Sequence, residues 1–240
     1  MPAPGPPFVP GERYHLYNHA NGFEKLFYEP ENYRYFLRKI RAVLEPSVEI
    51  LAYCLLTNHF HLVVEVRSTE VLKEVLQNWR SQKEGAPFRE RVGESPAERY
   101  HRFVNRQVTS LLAGYTRALN KRIGRRGSLF QPNTKRKHVH SDRYLRAVLR
   151  YVNCNAAHHG IVVDPADYPY SSYLGFLGDA DTLCIPHARI LEWFGGREAF
   201  LAAHAPRTAR HFVRDLEPVM TPLITGTRIY EGERFVGLAP

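Results

Sequence analysis

The sequence predicts an α+β protein built on a small antiparallel sheet, and three observations carry that prediction. Residues 13–19, 48–56 and 59–66 alternate or run apolar with β-branched and aromatic side chains, as strands with a buried face do. Only Thr57-Asn58 separates the second run from the third, the spacing of a tight hairpin. Around these runs lie stretches with apolar residues three and four apart, the period of amphipathic helices.

In chain order, a Pro-rich lead (MPAPGPPFVP) gives way to a first strand, Arg13 to His19, and Asn21-Gly22 makes a turn. Pro30 opens a helix whose apolar positions are Tyr33, Phe36, Leu37, Ile40, Val43 and Leu44, and Pro46 stops it. The hairpin of Val48–Leu56 and His59–Val66 follows. Ser68 or Thr69 caps a helix with Val71, Leu72, Val75, Leu76 and Trp79 inward. Residues 80–99 are polar and carry Gly and Pro, which reads as a loop-like insert. Helical period resumes from Tyr100 to about Ile123 and ends at Gly124. Leu129–Gln131 and Lys137–His140 read as a fourth strand. Ser141 or Asp142 caps a helix to about Asn155. The order is β-α-β-β-α-β with one further helix, a ferredoxin-like plan. Its helices are expected on one face of the sheet, leaving the other face open to ligands. Residues 12–173 form this domain, and 174–240 form a C-terminal extension with helical pieces at His187–Phe194 and Arg197–His204 and an arm at Arg228–Gly237.

The chain has 33 Lys and Arg against 24 Asp and Glu, a net charge of +9, which points to an anionic partner, nucleic acid first. No apolar run reaches the roughly 18–20 residues that span a bilayer, and the first residues lack the pattern of a signal peptide. Three scattered cysteines, Cys54, Cys154 and Cys184, make neither a disulfide framework nor a zinc ribbon. These features describe a cytoplasmic protein with reduced thiols. Nothing in them chooses between monomer and homodimer.

The chemistry gathers on His59-Phe60-His61. Alternate residues of a strand share a face, so both imidazoles project together about 7 Å apart, while Phe60, Leu62, Val64 and Val66 point into the core. A metal ion would need a further ligand from elsewhere, and the spacing by itself equally describes ordinary strand histidines. The helix from Asp142 offers partners: beside its stripe of Leu145, Val148, Leu149 and Val152, Tyr151 and Asn155 lie on one flank, four residues apart. Between Tyr100 and Val163 the only acidic residue is Asp142, while Lys121, Arg122, Arg125, Arg126, Lys135, Arg136 and Lys137 cluster before that helix. Such a face can track phosphates, with Phe130, Tyr144 or Tyr170 stacking on unpaired bases. His138-Val-His140 has polar flanks and reads as a strand end; His158-His159 reads as a turn; Glu65 reads as a salt-bridge partner.

Together these residues resemble the HUH single-tyrosine transposases, in particular their REP-associated branch. Leu56-Thr-Asn-His-Phe-His-Leu62 is similar to that family's Pro-Asn-His-hydrophobic-His signature, with Thr57 in the proline position. Gly127-Ser-Leu-Phe-Gln-Pro132 and Gly160-Ile-Val followed by Pro165-Ala-Asp-Tyr-Pro-Tyr-Ser-Ser-Tyr173 resemble two later segments. Ala156 stands where proline is usual, and Asn18-His19-Ala20 where Arg-Gly-Asn is common, a departure that adds a histidine. The resemblance implies nicking and rejoining of single-stranded or hairpin DNA, as in transposition of REP-type elements. Tyr151 would be the nucleophile, forming a 5′-phosphotyrosine, and His59, His61 and Asn155 would hold Mg²⁺ or Mn²⁺. An ordinary phenol of pKa ≈ 10 costs about 4 kcal/mol to ionise at pH 7, which a divalent cation on the phosphate can offset. The alternative is a domesticated, non-catalytic nucleic-acid-binding protein that keeps the fold. A replication initiator or relaxase fits less of the chain, and a metal-dependent hydrolase lacks a carboxylate base near the histidines.

Overall fold

A computed structural model describes residues 5–81, 88–178 and 183–205. The elements follow the expected order: β1 (Arg13–His19), α1 (Pro30–Lys39) running on into a π-helical turn (Ile40–Leu44), β2 (Val48–Leu56), β3 (His59–Val66), α2 (Thr69–Ser81), α3 (Pro96–Ile123), β4 (Lys135–His138), α4 (Asp142–Asn153), α5 (Asn155–His158), α6 (Tyr173–Leu177), α7 (His187–Phe194) and α8 (Arg197–His204). The four strands form one sheet in the order β2-β3-β1-β4, with every neighbouring pair antiparallel. This is the ferredoxin-like βαββαβ sheet that the order of elements predicts, followed by the extra helix.

The core forms where the even-numbered residues of β1 and β3 meet α1 and α3. Phe36 of α1, Phe60 of β3, Tyr115 of α3 and Phe130 pack ring on ring. The Tyr115 hydroxyl, buried with them, donates to the Leu26 carbonyl and so leaves no orphan donor. Two caps fix α3. Ser95 and Glu98 form a reciprocal capping box ahead of Pro96, and Gly124, at φ +68°, turns the chain out of the helix. This helix therefore starts four residues earlier than its apolar period suggests, because the capping box and a proline at the first turn extend it into the polar stretch. Phe88, within that stretch, is buried against Phe103. The part of the insert at 82–87 and the arm at 228–237 lie outside the described residues.

Three expectations are corrected. The fourth strand is Lys135–His138, four residues long; Phe130 makes only an isolated bridge to Ala20. The second face of the sheet is not open: α4 packs on it, and α7 and α8 pack on α4. The helix expected to reach Asn155 breaks at Cys154, and Asn155 begins the short α5. Its apolar stripe explains the second correction, since Leu145, Val148, Leu149 and Val152 are all fully buried and need a surface to cover. The break goes with a buried polar network at Asn153. Its carboxamide oxygen accepts from Ser172 Oγ at 2.6 Å, and its nitrogen lies 3.2 Å from His204 Nε2. No helix among the described residues is long and apolar enough to cross a membrane.

Candidate active site

Antiparallel register assembles the site. His19 lies opposite His59, Tyr17 opposite His61 and His15 opposite Val63. Residues directly opposite share a face, so His15, Tyr17, His19, His59 and His61 project together toward α4. Tyr151 comes down from α4 with its ring edge-on to His61, centroids 5.4 Å apart, and also edge-on to His15 at 6.1 Å. His59 and His61 sit 5.2 Å apart with perpendicular rings. The strand-and-helix pair expected from the sequence is therefore brought into contact, and Asn155 closes the group within reach of both His59 and Tyr151.

All four groups are more deeply buried than a position beside the core implies. Tyr151 is 4% exposed and Asn155 is 0% exposed. Burial holds both imidazoles neutral, their pKa well below the ordinary value, and the surrounding histidines add repulsion in the same direction. It also pushes the Tyr151 phenol up to about 12, although Asn155 opposes the shift. Hydrogen bonds fix what the imidazoles can offer. Nδ1 of His59 lies 2.8 Å from Asn58 Oδ1, which can only accept, so the proton sits on Nδ1 and Nε2 keeps its lone pair. Nδ1 of His61 lies 2.9 Å from His15 Nε2.

The residues suit a small divalent cation on one particular ground. Neither the oxygen nor the nitrogen of the Asn155 side chain makes a hydrogen bond of normal geometry, although both atoms are buried. A buried carboxamide beside the neutral His59 imidazole, with His61 next along the strand, is a donor set that suits a cation. Asn155 is essential to that set, since no cluster of three or more His, Cys, Asp or Glu suited to a metal occurs among the described residues.

The sequence left out much of the surroundings. His15 is fully buried in the site, His19 stacks on His59 at 4.6 Å, His159 stands edge-on to His59 at 5.0 Å, and His158 lies edge-on to Tyr151 at 5.7 Å. Two signals were present. His15 and His19 have the strand parity that faces His59 and His61 across the ladder, and His159 follows Asn155 by four residues. Among the groups read as ordinary, His138 bonds to Glu12, and Glu65 pairs with Arg13 and Arg189.

The basic residues separate into groups. Lys135 and Lys137 lie opposite Tyr17 and His15, on the histidine face. Arg136 lies opposite Leu16, on the other face, where it stacks on Phe8 and bonds to the Gly5 and Pro6 carbonyls and to Asn105. Arg125 is spent on the loop after α3, paired with Glu24 and donating to the Gly127 and Ser128 carbonyls. Arg122 pairs with Glu29, and with Lys121 it lines a cavity of about 420 Å³ between α1 and α3; Arg126 is exposed just beyond the helix. The aromatic residues expected to stack on bases are engaged inside the protein: Phe130 and Tyr144 are buried, and Tyr170 stacks on Tyr33 at 3.6 Å.

No protein-family model matches the chain, and no curated protein does. Among solved structures, the chain is similar to a REP-associated tyrosine transposase bound to a REP hairpin. The identity is 15% and the TM-score 0.48, with 78% of this chain and 96% of that chain covered.

Proposed function

We propose that this chain cuts and rejoins single-stranded DNA through a covalent bond to Tyr151, with Mg²⁺ or Mn²⁺ held by His59, His61 and Asn155. The observation that carries the reading is the meeting of a helix-borne phenol with neutral imidazoles and a buried carboxamide whose oxygen and nitrogen make no hydrogen bond of normal geometry. The order of motifs along the sequence supports it independently.

In the reaction the Tyr151 oxygen attacks a backbone phosphorus and the bond to the 3′ oxygen breaks. The products are a 5′-phosphotyrosine and a free 3′-OH, and the proton lost by the phenol balances the one gained by the 3′ oxygen. Rejoining is the reverse attack by a 3′-OH. With its pKa at about 12, forming the phenolate at pH 7 costs about 7 kcal/mol, more than an exposed tyrosine would require. A bound divalent cation would polarise the phosphate and stabilise the leaving oxygen. The Asn58 contact holds the His59 ring with Nε2 available as a ligand, and the burial that raises the phenol pKa also excludes water from competing with it. A ligand set of neutral groups binds Mg²⁺ weakly alone, so the DNA phosphate is expected to complete the site.

The test is to incubate the full-length chain and Tyr151→Phe with hairpin-bearing single strands from its own locus and Mn²⁺, then run denaturing gels. The expected result is a covalent adduct with wild type and none with the variant. Wild type that binds this DNA and forms no adduct overturns the reading in favour of a non-catalytic nucleic-acid-binding protein.

A further inference from the structure

We infer that His15 is a positioning residue that prepares His61 to bind the metal, an inference that rests on the function proposed above. A metal-bound imidazole gives one nitrogen to the ion and, almost without exception, donates its other N–H to a fixed acceptor that sets ring angle and tautomer. Asn58 fills that role for His59. For His61 the partner in place is Nε2 of His15, 2.9 Å from Nδ1, with the two rings stacked 5.1 Å apart. With His61 donating from Nδ1, its Nε2 carries the lone pair, as at His59, and both ligands present the same nitrogen.

Packing alone does not account for an imidazole at position 15. The side chain is fully buried beside Tyr17 and Tyr151, and its own Nδ1 has no hydrogen-bond partner. An apolar ring would fill the space without stranding a polar atom in the interior. The hydrogen bond to His61 is what the imidazole adds. The histidine face thus has two tiers: His59 and His61 toward the cation, Asn58 and His15 behind them.

Mn²⁺ titration of the full-length chain by calorimetry tests this, with wild type, His15→Phe, His15→Gln and His59→Ala compared. His15→Phe should weaken Mn²⁺ binding about 10- to 100-fold, whereas His15→Gln, whose carbonyl oxygen can accept from His61, should recover most of the loss. Wild-type affinity in His15→Phe, with binding lost in His59→Ala, overturns the role of His15 and leaves the proposed function standing. A wild-type chain that takes up no Mn²⁺, either alone or with hairpin DNA present, overturns the metal reading itself. Should His15→Phe fail to fold, long-range ¹H–¹⁵N spectra of the Mg²⁺-loaded wild type decide. His61 protonated on Nδ1 supports the inference, and His61 protonated on Nε2 refutes it.

Discussion

Mild acid should unfold this protein, and the histidines set the pH at which it does so. Burial lowers the pKa of His15 to about 3 and of His159 and His204 to about 4, from an ordinary 6.5. Each is neutral when folded and takes up a proton when unfolded below 6.5. The unfolded state therefore binds more protons, and stability present above pH 6.5 is lost as pH falls toward the folded values. Between pH 7 and pH 5 each of these groups forfeits about 2 kcal/mol, or about 6 kcal/mol for the three. His59 and His61 act in the same direction. A total stability of about 5–15 kcal/mol would be largely consumed. Carboxylates do not confuse this window: Glu24, Glu31 and Glu94 are held below the ordinary carboxylate value by arginines and titrate at lower pH. His204 shows why the charged form is resisted. Its Nδ1–H donates to the Phe200 carbonyl at 2.8 Å and its Nε2 faces the Asn153 amide nitrogen, so a second ring proton would set donor against donor. Urea denaturation followed by far-UV circular dichroism at pH 7, 6 and 5 measures the effect. His204→Gln should flatten the curve, removing about 2 kcal/mol of the difference between pH 7 and pH 5. Equal stability of the wild type at the two ends of that range would refute the reasoning.

Two neighbours on β4 should fail in different ways. Lys135→Ala should leave the melting temperature in place and reduce the salt dependence of single-strand binding, lowering the log–log slope by about 0.7, whereas Arg136→Ala should cost about 1–3 kcal/mol of stability through its lost hydrogen bonds. Fluorescence anisotropy across a salt series and thermal melts separate the two, and identical behaviour would contradict the division of this strand between two faces. At the far end of the sheet, Trp193→Ala removes a ring flanked by the guanidinium groups of Arg13 at 4.8 Å and Arg189 at 4.9 Å. It should cost about 1–2 kcal/mol in urea unfolding, and no change would mean that α7 is not anchored there.

The first three strands were legible to the residue because each is a run of β-branched and aromatic side chains bounded by turn residues, β2 and β3 buried on nearly every position. The fourth was not, because Lys135-Arg-Lys-His138 carries no apolar alternation; its pairing with Tyr14–Tyr17 comes from the sheet edge that β1 offers. That His59 and His61 share a face, and that Tyr151 and Asn155 share a flank, could be read from strand parity and helix period; that the two sets meet came only from the family resemblance. The break at Cys154 could not be read, since neither Cys nor Asn forces a helix to stop and the polar partners Ser172 and His204 come from later elements. The same holds for the closed second face. A strongly amphipathic helix announces that it must cover something, but only the tertiary structure says that it covers the histidines.

The burial of Tyr151 raises the question of entry, and the distribution of charge answers it for the proposed reaction. The histidine face has two ends. At one, Glu49 and Glu65 are tied to Arg13, Arg67 and Arg189, with Trp193 against Arg13 and Arg189, so the charges at this end are paired with one another. At the other, Tyr17, His19, His158 and His159 are only partly buried, and Lys135 stands exposed on the same face across from Tyr17. A phosphate drawn to positive charge meets this second end first, next to His59. From there His61 and Tyr151 lie within one or two ring widths, at 5.2 Å and then 5.4 Å between centroids. The short α5, which carries Asn155 and leads to His159, forms the roof of that entrance. Behind it, Asn153 is held by Ser172 and His204, which anchors the C-terminal end of α4 and with it Tyr151.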